Sequence, residues 1–152
     1  MKILLVEDDL DKSNQICEYL ASAFATSFIK TCRSLQSGLQ ELIENHQSYL
    51  FVLLDMTLPN YELSSEEPDG GSPESFAGRN LLTQLKLRDI KIPVIVVTQY
   101  EQFGTENVPL ESLSKELELE FSDNYRSTVY FSIISNSWQI NLKKEIDKLL
   151  ET

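Results

Sequence analysis

The sequence predicts an α/β domain, doubly wound around a five-stranded parallel sheet. Two unbroken apolar runs, Tyr49 to Leu54 and Ile92 to Val97, read as strands buried on both faces, as the central strands of a parallel sheet are. Strand-like stretches alternate five times with stretches of helical period, the pattern of a sheet covered by helices on both sides. The first run ends in Asp55, and an acid directly after a buried parallel strand faces the carboxyl edge of the sheet, where open α/β folds place their chemistry. Taken alone, Asp55 reads more readily as the start of a turn or as a helix cap than as a functional acid.

In chain order, Lys2 to Val6 forms a short apolar strand that stops at Glu7-Asp8-Asp9. Ile16, Leu20 and Phe24 then recur at helical spacing, with Asp9 or Asp11 as the cap. Ser27 to Cys32 is rich in β-branched and aromatic residues and reads as the second strand. Ser34 caps the next helix, whose inward stripe is Leu35, Leu39, Leu42 and Ile43, and the central strand follows. After Pro59 the composition turns acidic and rich in Gly, Ser and Pro, with Glu62, Glu66, Glu67, Asp69 and Glu74, and reads as a loop. Helical order resumes at Leu81, Leu82 and Leu85. The fourth strand, Ile92 to Thr98, holds Pro93 at its entry, where a missing N–H does least harm. Residues 99–109 form a second acidic, irregular connection. Leu110, Leu113, Leu117 and Phe121 give a helical stripe, Thr128 to Ile134 a fifth strand, and Trp138, Leu142, Ile146, Leu149 and Leu150 the apolar face of a last helix.

Length and composition bound the function. The 152 residues suit one domain, 1–152, with acidic insertions near 60–77 and 99–109. A net charge of -11 argues against nucleic acid and against anionic membrane surfaces, both of which are held mainly by Lys and Arg. No apolar run approaches the roughly 20 residues that span a bilayer, and no basic leader precedes the first strand. Cys17 and Cys32 lack zinc-like spacing and read as reduced thiols in a helix and a strand, so a cytoplasmic location is expected. His46 is the only histidine, which leaves little for histidine chemistry.

Glu7, Asp8 and Asp55 fall at the ends of the first and third strands. In a flavodoxin-like order 2-1-3-4-5 those strands flank the switch point, so the carboxylates converge in one cleft. Converging acids repel one another unless a cation lies between them, and oxygen ligands with a wet remaining shell suit Mg2+.

Met1 to Asp9, Asp55-Met56-Thr57-Leu58-Pro59 and Ile92 to Thr98 resemble, in order, three signature stretches of the receiver domain of two-component response regulators. The resemblance covers essentially the whole chain. It implies that Asp55 is the phosphoacceptor, that Glu7, Asp8, Asp55 and the backbone carbonyl of Thr57 hold Mg2+, and that Thr98 is the switch hydroxyl. It also implies a phosphodonor histidine kinase or other signalling protein, a downstream protein partner, a possible homodimer, and a signalling rather than an enzymatic role.

The family pattern also breaks. Receivers carry a lysine followed by proline at the end of the fifth strand, and counting back from the last helix puts Ser135 and Asn136 there. Serine offers a hydrogen bond but no charge. Gln99 stands where a small residue is usual, and both insertions emerge at the carboxyl edge beside the acidic cleft. Two readings stay open: a stand-alone receiver phosphorylated on Asp55 and signalling by protein contact, and a degenerate receiver acting as a phosphorylation-independent adaptor. A Mg2+-dependent phosphohydrolase is disfavoured, because Thr57 stands where such an enzyme needs a second acid.

Overall fold

The computed structural model describes residues 1–61 and 75–151, so most of the first acidic insertion lies outside the described residues. The strands are β1 (Lys2–Val6), β2 (Phe28–Cys32), β3 (Phe51–Leu54), β4 (Val94–Thr98), β5 (Gln102–Phe103), β6 (Val108–Pro109) and β7 (Tyr125–Tyr130). The helices are α1 (Leu10–Ala23), α2 (Leu35–Asn45), α3 (Ala77–Leu87), α4 (Leu110–Glu120) and α5 (Ser137–Leu150). A parallel sheet runs β2-β1-β3-β4-β7, which is the flavodoxin-like order, with β7 as the fifth strand of that sheet.

Alternation within the strands divides the core. Leu4, Val6, Val52, Leu54, Val94 and Val96 face α2, α3 and α4, packing on Leu39, Leu82 and Leu113. Ile3, Leu5, Phe51, Leu53, Ile95 and Val97 face α1 and α5, packing on Ile16, Leu20, Trp138 and Leu142. Every residue of β3 and β4 is buried, as expected of strands covered on both faces. Two helix starts are capped by short polar side chains: Asp9 accepts from the Lys12 N–H, and Ser34 forms a capping box with Ser37.

Leu50, expected in the buried central strand, precedes β3 and is exposed, and Ile43, expected in the inward stripe of α2, is exposed as well. The fifth strand and the 99–109 connection also differ from expectation. The fifth strand spans Tyr125–Tyr130 rather than Thr128 to Ile134. Its start is pinned by Asn124, whose Nδ2 donates to the Ile90 and Ile92 carbonyls at 2.7 and 2.9 Å. Its end is set by its partner: β4 stops at Thr98, whose carbonyl accepts the Phe131 N–H, and beyond that point there is no ladder to join. Ile133 and Ile134 are instead 80% and 92% exposed, despite their β-branched character. The connection over 99–109 is also not wholly irregular. β5 and β6 pair as a small antiparallel hairpin, turned by Gly104 and Asn107 in left-handed conformations. Phe103 is buried there against Phe76, which covers the head of α3.

Candidate functional site

The register of the sheet assembles the site. Val6 of β1 pairs with Leu54 of β3, so Glu7 and Asp55 leave the sheet side by side, and the Asp55 N–H donates to the Val6 carbonyl at 3.0 Å. At this junction β1 has its neighbours on either side, β2 and β3, whose crossovers run in opposite directions, and a crevice opens at the strand ends. Glu7, Asp8 and Asp55 each bring a carboxylate oxygen to within 4.8 Å of the others. Glu7 and Asp55 are buried and Asp8 is half-buried.

The wall behind Asp55 is rigid. Gly78, in the first turn of α3, donates its N–H to the Met56 carbonyl at 2.9 Å, and a Cβ at this position would lie 2.7 Å from the Asp55 carbonyl oxygen. Only glycine allows the helix to approach the strand end this closely. Thr57 lies half-buried in the bend after Asp55. Thr98, fully buried at the end of β4, accepts the Tyr100 N–H on its hydroxyl at 3.2 Å.

Ser135 lies elsewhere. It is five residues beyond the end of β7, exposed, and among the described residues its hydroxyl bonds to Ser137. The residue that β7 delivers to the site is Phe131, 1% exposed and packed on Trp138 with ring centroids 4.9 Å apart.

The positive charge in the site comes from a residue that the sequence reading passed over. Lys12, 2% exposed, reaches down from the first turn of α1 with its Nζ 2.5 Å from Glu7 Oε1 and 3.4 Å from Asp55 Oδ2. The ammonium also donates to the Val97 carbonyl at 2.8 Å and lies 5.9 Å from the centre of the Phe131 ring. A signal was present: the stripe Phe24, Leu20, Ile16, stepped back by one more turn, lands on Lys12. A lysine on the buried face of an amphipathic helix needs partners, because burying an unpaired charge is prohibitive.

Three carboxylates face one ammonium in this cluster. Burial, and then the charge of Asp55, push the Glu7 carboxyl well above the usual carboxylate range, against the pull of Lys12. The same two causes raise Asp8. Burial and the charges of Asp55 and Asp8 raise the Tyr100 phenol, which marks how far the field of the cluster extends. Asp55 Oδ2 faces Lys12, whereas buried Oδ1 has no hydrogen-bond partner among the described residues. An oxygen-only donor set of three mutually repelling carboxyl groups, with an orphaned carboxylate oxygen, fits a hard divalent cation.

No family model matches the chain. Over 147 residues it is 33% identical to the uncharacterized protein y4jR of Sinorhizobium fredii, covering 94% of this chain and 95% of that one. It is 29% identical over 151 residues to the Detocs response regulatory protein DtcB of Enterobacter cloacae, covering 98% of this chain and all of that one. Among solved structures, the fold matches a chain of the CheX-CheY-BeF3-Mg+2 complex from Borrelia burgdorferi with a TM-score of 0.70 at 13% identity, over 99% of this chain and 89% of that one. A CheY-like receiver domain protein from Methanospirillum hungatei aligns over 99% of this chain and 96% of that one, with a TM-score of 0.60 at 21% identity. With these relatives along its length, a CheY-like fold and carboxylates at the switch point, the chain has the receiver fold and is similar over its whole length to a response regulatory protein, without the fifth-strand lysine.

Proposed function

We propose that this receiver takes a phosphoryl group on Asp55 from a histidine kinase and signals by protein contact. The observation that carries the reading is the divided environment of Asp55: one oxygen faces a buried ammonium while the other is unpartnered among the described residues. The unpartnered Oδ1 would attack phosphorus in line, forming an O–P bond as the bond from phosphorus to the donor breaks and its electron pair leaves with the donor. Glu7, Asp8, Asp55 and the carbonyl of Thr57 would hold Mg2+, which when bound neutralises charge on the phosphoryl oxygens. The Thr98 hydroxyl, now occupied by the Tyr100 N–H, would turn to the phosphoryl and draw the start of the 99–109 connection with it. Such a protein works in the cytoplasm with a kinase and a downstream partner. Among the described residues, no helix is long and apolar enough to cross a membrane.

One observation favours the adaptor reading instead: the end of β7 is followed by Phe131 and, further on, an exposed serine, with no Lys or Arg between Val129 and Ser135. Intact-mass measurement separates the two. The protein is incubated with acetyl phosphate or a panel of histidine kinases, with and without Mg2+, beside Asp55→Asn. A Mg2+-dependent phosphate adduct lost in the variant supports phosphotransfer. No adduct from any donor, with Mg2+ binding shown separately, leaves the adaptor.

A further inference from the structure

We infer that Lys12 is the phosphoryl-pairing cation of this receiver, supplied from α1 rather than from the end of the fifth strand. The inference rests on the reading of Asp55 as phosphoacceptor. Three features of the molecule carry it. The strand end that would deliver a cation delivers the buried Phe131, and Ser135 is exposed outside the site. Lys12 brings its ammonium to that same strand end, 3.4 Å from Asp55 Oδ2 and 2.8 Å from the carbonyl of Val97, the residue before Thr98. Its backbone is fixed, because Asp9 caps α1 through the Lys12 N–H itself, at 3.0 Å, so the side chain enters the crevice from a defined point.

The geometry also gives Lys12 somewhere to go. In the resting site its shortest contact is with Glu7 rather than with Asp55. A phosphoryl group on Asp55 adds negative charge beside the ammonium and draws it off Glu7. That movement changes the contacts with Val97 and with the Phe131 ring. Lys12 also lines a cleft of about 400 Å3 with Gln99, Tyr130, Phe131, Ile133 and Ile134, so its displacement reaches the exposed pair Ile133-Ile134 directly. The lysine thus joins the phosphorylated centre to an apolar surface on the α5 side of the sheet.

The test uses the full chain and beryllofluoride, a stable mimic of an acyl phosphate, with Mg2+. Backbone amide and lysine ammonium NMR spectra are recorded for the wild type, Lys12→Met and Lys12→Arg. In the wild type, beryllofluoride moves the Lys12 Nζ resonance and the amides of Phe131 to Ile134. Lys12→Met binds Mg2+ at least as tightly, because a competing cation is gone, and still shifts Asp55 and Thr98, but the Phe131 to Ile134 amides stay in place. Lys12→Arg recovers part of that response, and phosphorylation of Lys12→Met by acetyl phosphate slows by about 10²-fold, the usual effect of removing one charge-stabilising donor. A wild-type response retained in Lys12→Met overturns the inference and leaves Lys12 as packing alone. An absent response in the wild type overturns the Asp55 reading, and this one with it. Should Lys12→Met fail to fold, the wild-type ammonium resonance decides, and its failure to move on beryllofluoride addition overturns the inference.

Discussion

Substituting Gly78 by alanine tests whether α3 braces the site. The added Cβ would lie 2.7 Å from the Asp55 carbonyl oxygen and 2.9 Å from Met56 Cα, both backbone atoms that no rotamer change can move aside. Overpacking against unyielding backbone lies at the upper end of about 1–3 kcal/mol, and the better helix propensity of alanine returns about 0.5–1 kcal/mol of it, so a net loss of about 2–2.5 kcal/mol is expected. For a domain of this size that lowers Tm by roughly 4–10 °C. The displaced segment carries Asp55, so the stabilisation produced by added Mg2+ should shrink as well. Gly38→Ala is the comparison, because its Cβ meets only the Val6 side chain, at 3.0 and 3.1 Å, and not the backbone of the β3 end. Thermal melts of wild type, Gly78→Ala and Gly38→Ala, each with EDTA and with saturating Mg2+, read both quantities. A Gly78→Ala variant that melts with the wild type, or keeps an undiminished Mg2+ shift, shows that α3 does not brace the site.

Two further outcomes concern the scaffold. Asn124→Ala removes both side-chain donors to the Ile90 and Ile92 carbonyls and leaves buried acceptors unmet, so a loss of about 2–4 kcal/mol is expected in urea unfolding. Tyr49 donates to Glu41 Oε2 at 3.0 Å; burial pushes the Glu41 carboxyl up, but hydrogen bonds from Asn45, Tyr49 and Lys30 outweigh it and hold the group below its ordinary value. A depressed folded-state value means that this stability is present above the ordinary carboxylate range and is lost as pH falls through the folded value. Tyr49→Phe should therefore raise the Glu41 titration midpoint, followed by side-chain NMR, and flatten that part of the acid-unfolding curve.

Much of this architecture is legible in the sequence because it depends on features that a sequence carries locally. The runs at 49–54 and 92–97 read as strands buried on both faces, as their β3 and β4 residues are, and carboxylates placed directly after parallel strands gather at one sheet edge. Glu7, Asp8 and Asp55 meet for that reason. The extent of β7 is not legible, because Phe131 to Ile134 has good strand character and only the stopping point of β4 denies it a partner. The β5–β6 hairpin escapes for another reason: two-residue strands have no period to detect, although Gly104 and Asn107 mark its turn. Lys12 lies between these cases. Its helical position relative to Ile16 was visible, but its meaning depends on which groups the opposite strand ends bring to it.

An acyl phosphate on Asp55, the step proposed for this protein, can be trapped chemically. After phosphorylation in Mg2+, borohydride reduction converts an aspartyl phosphate to homoserine, which peptide mass spectrometry can place in the chain. Homoserine at position 55, absent without phosphodonor and absent in Asp55→Asn, is the predicted result. Phosphate incorporation with Asp55 intact and another residue modified, or no incorporation at all, contradicts it.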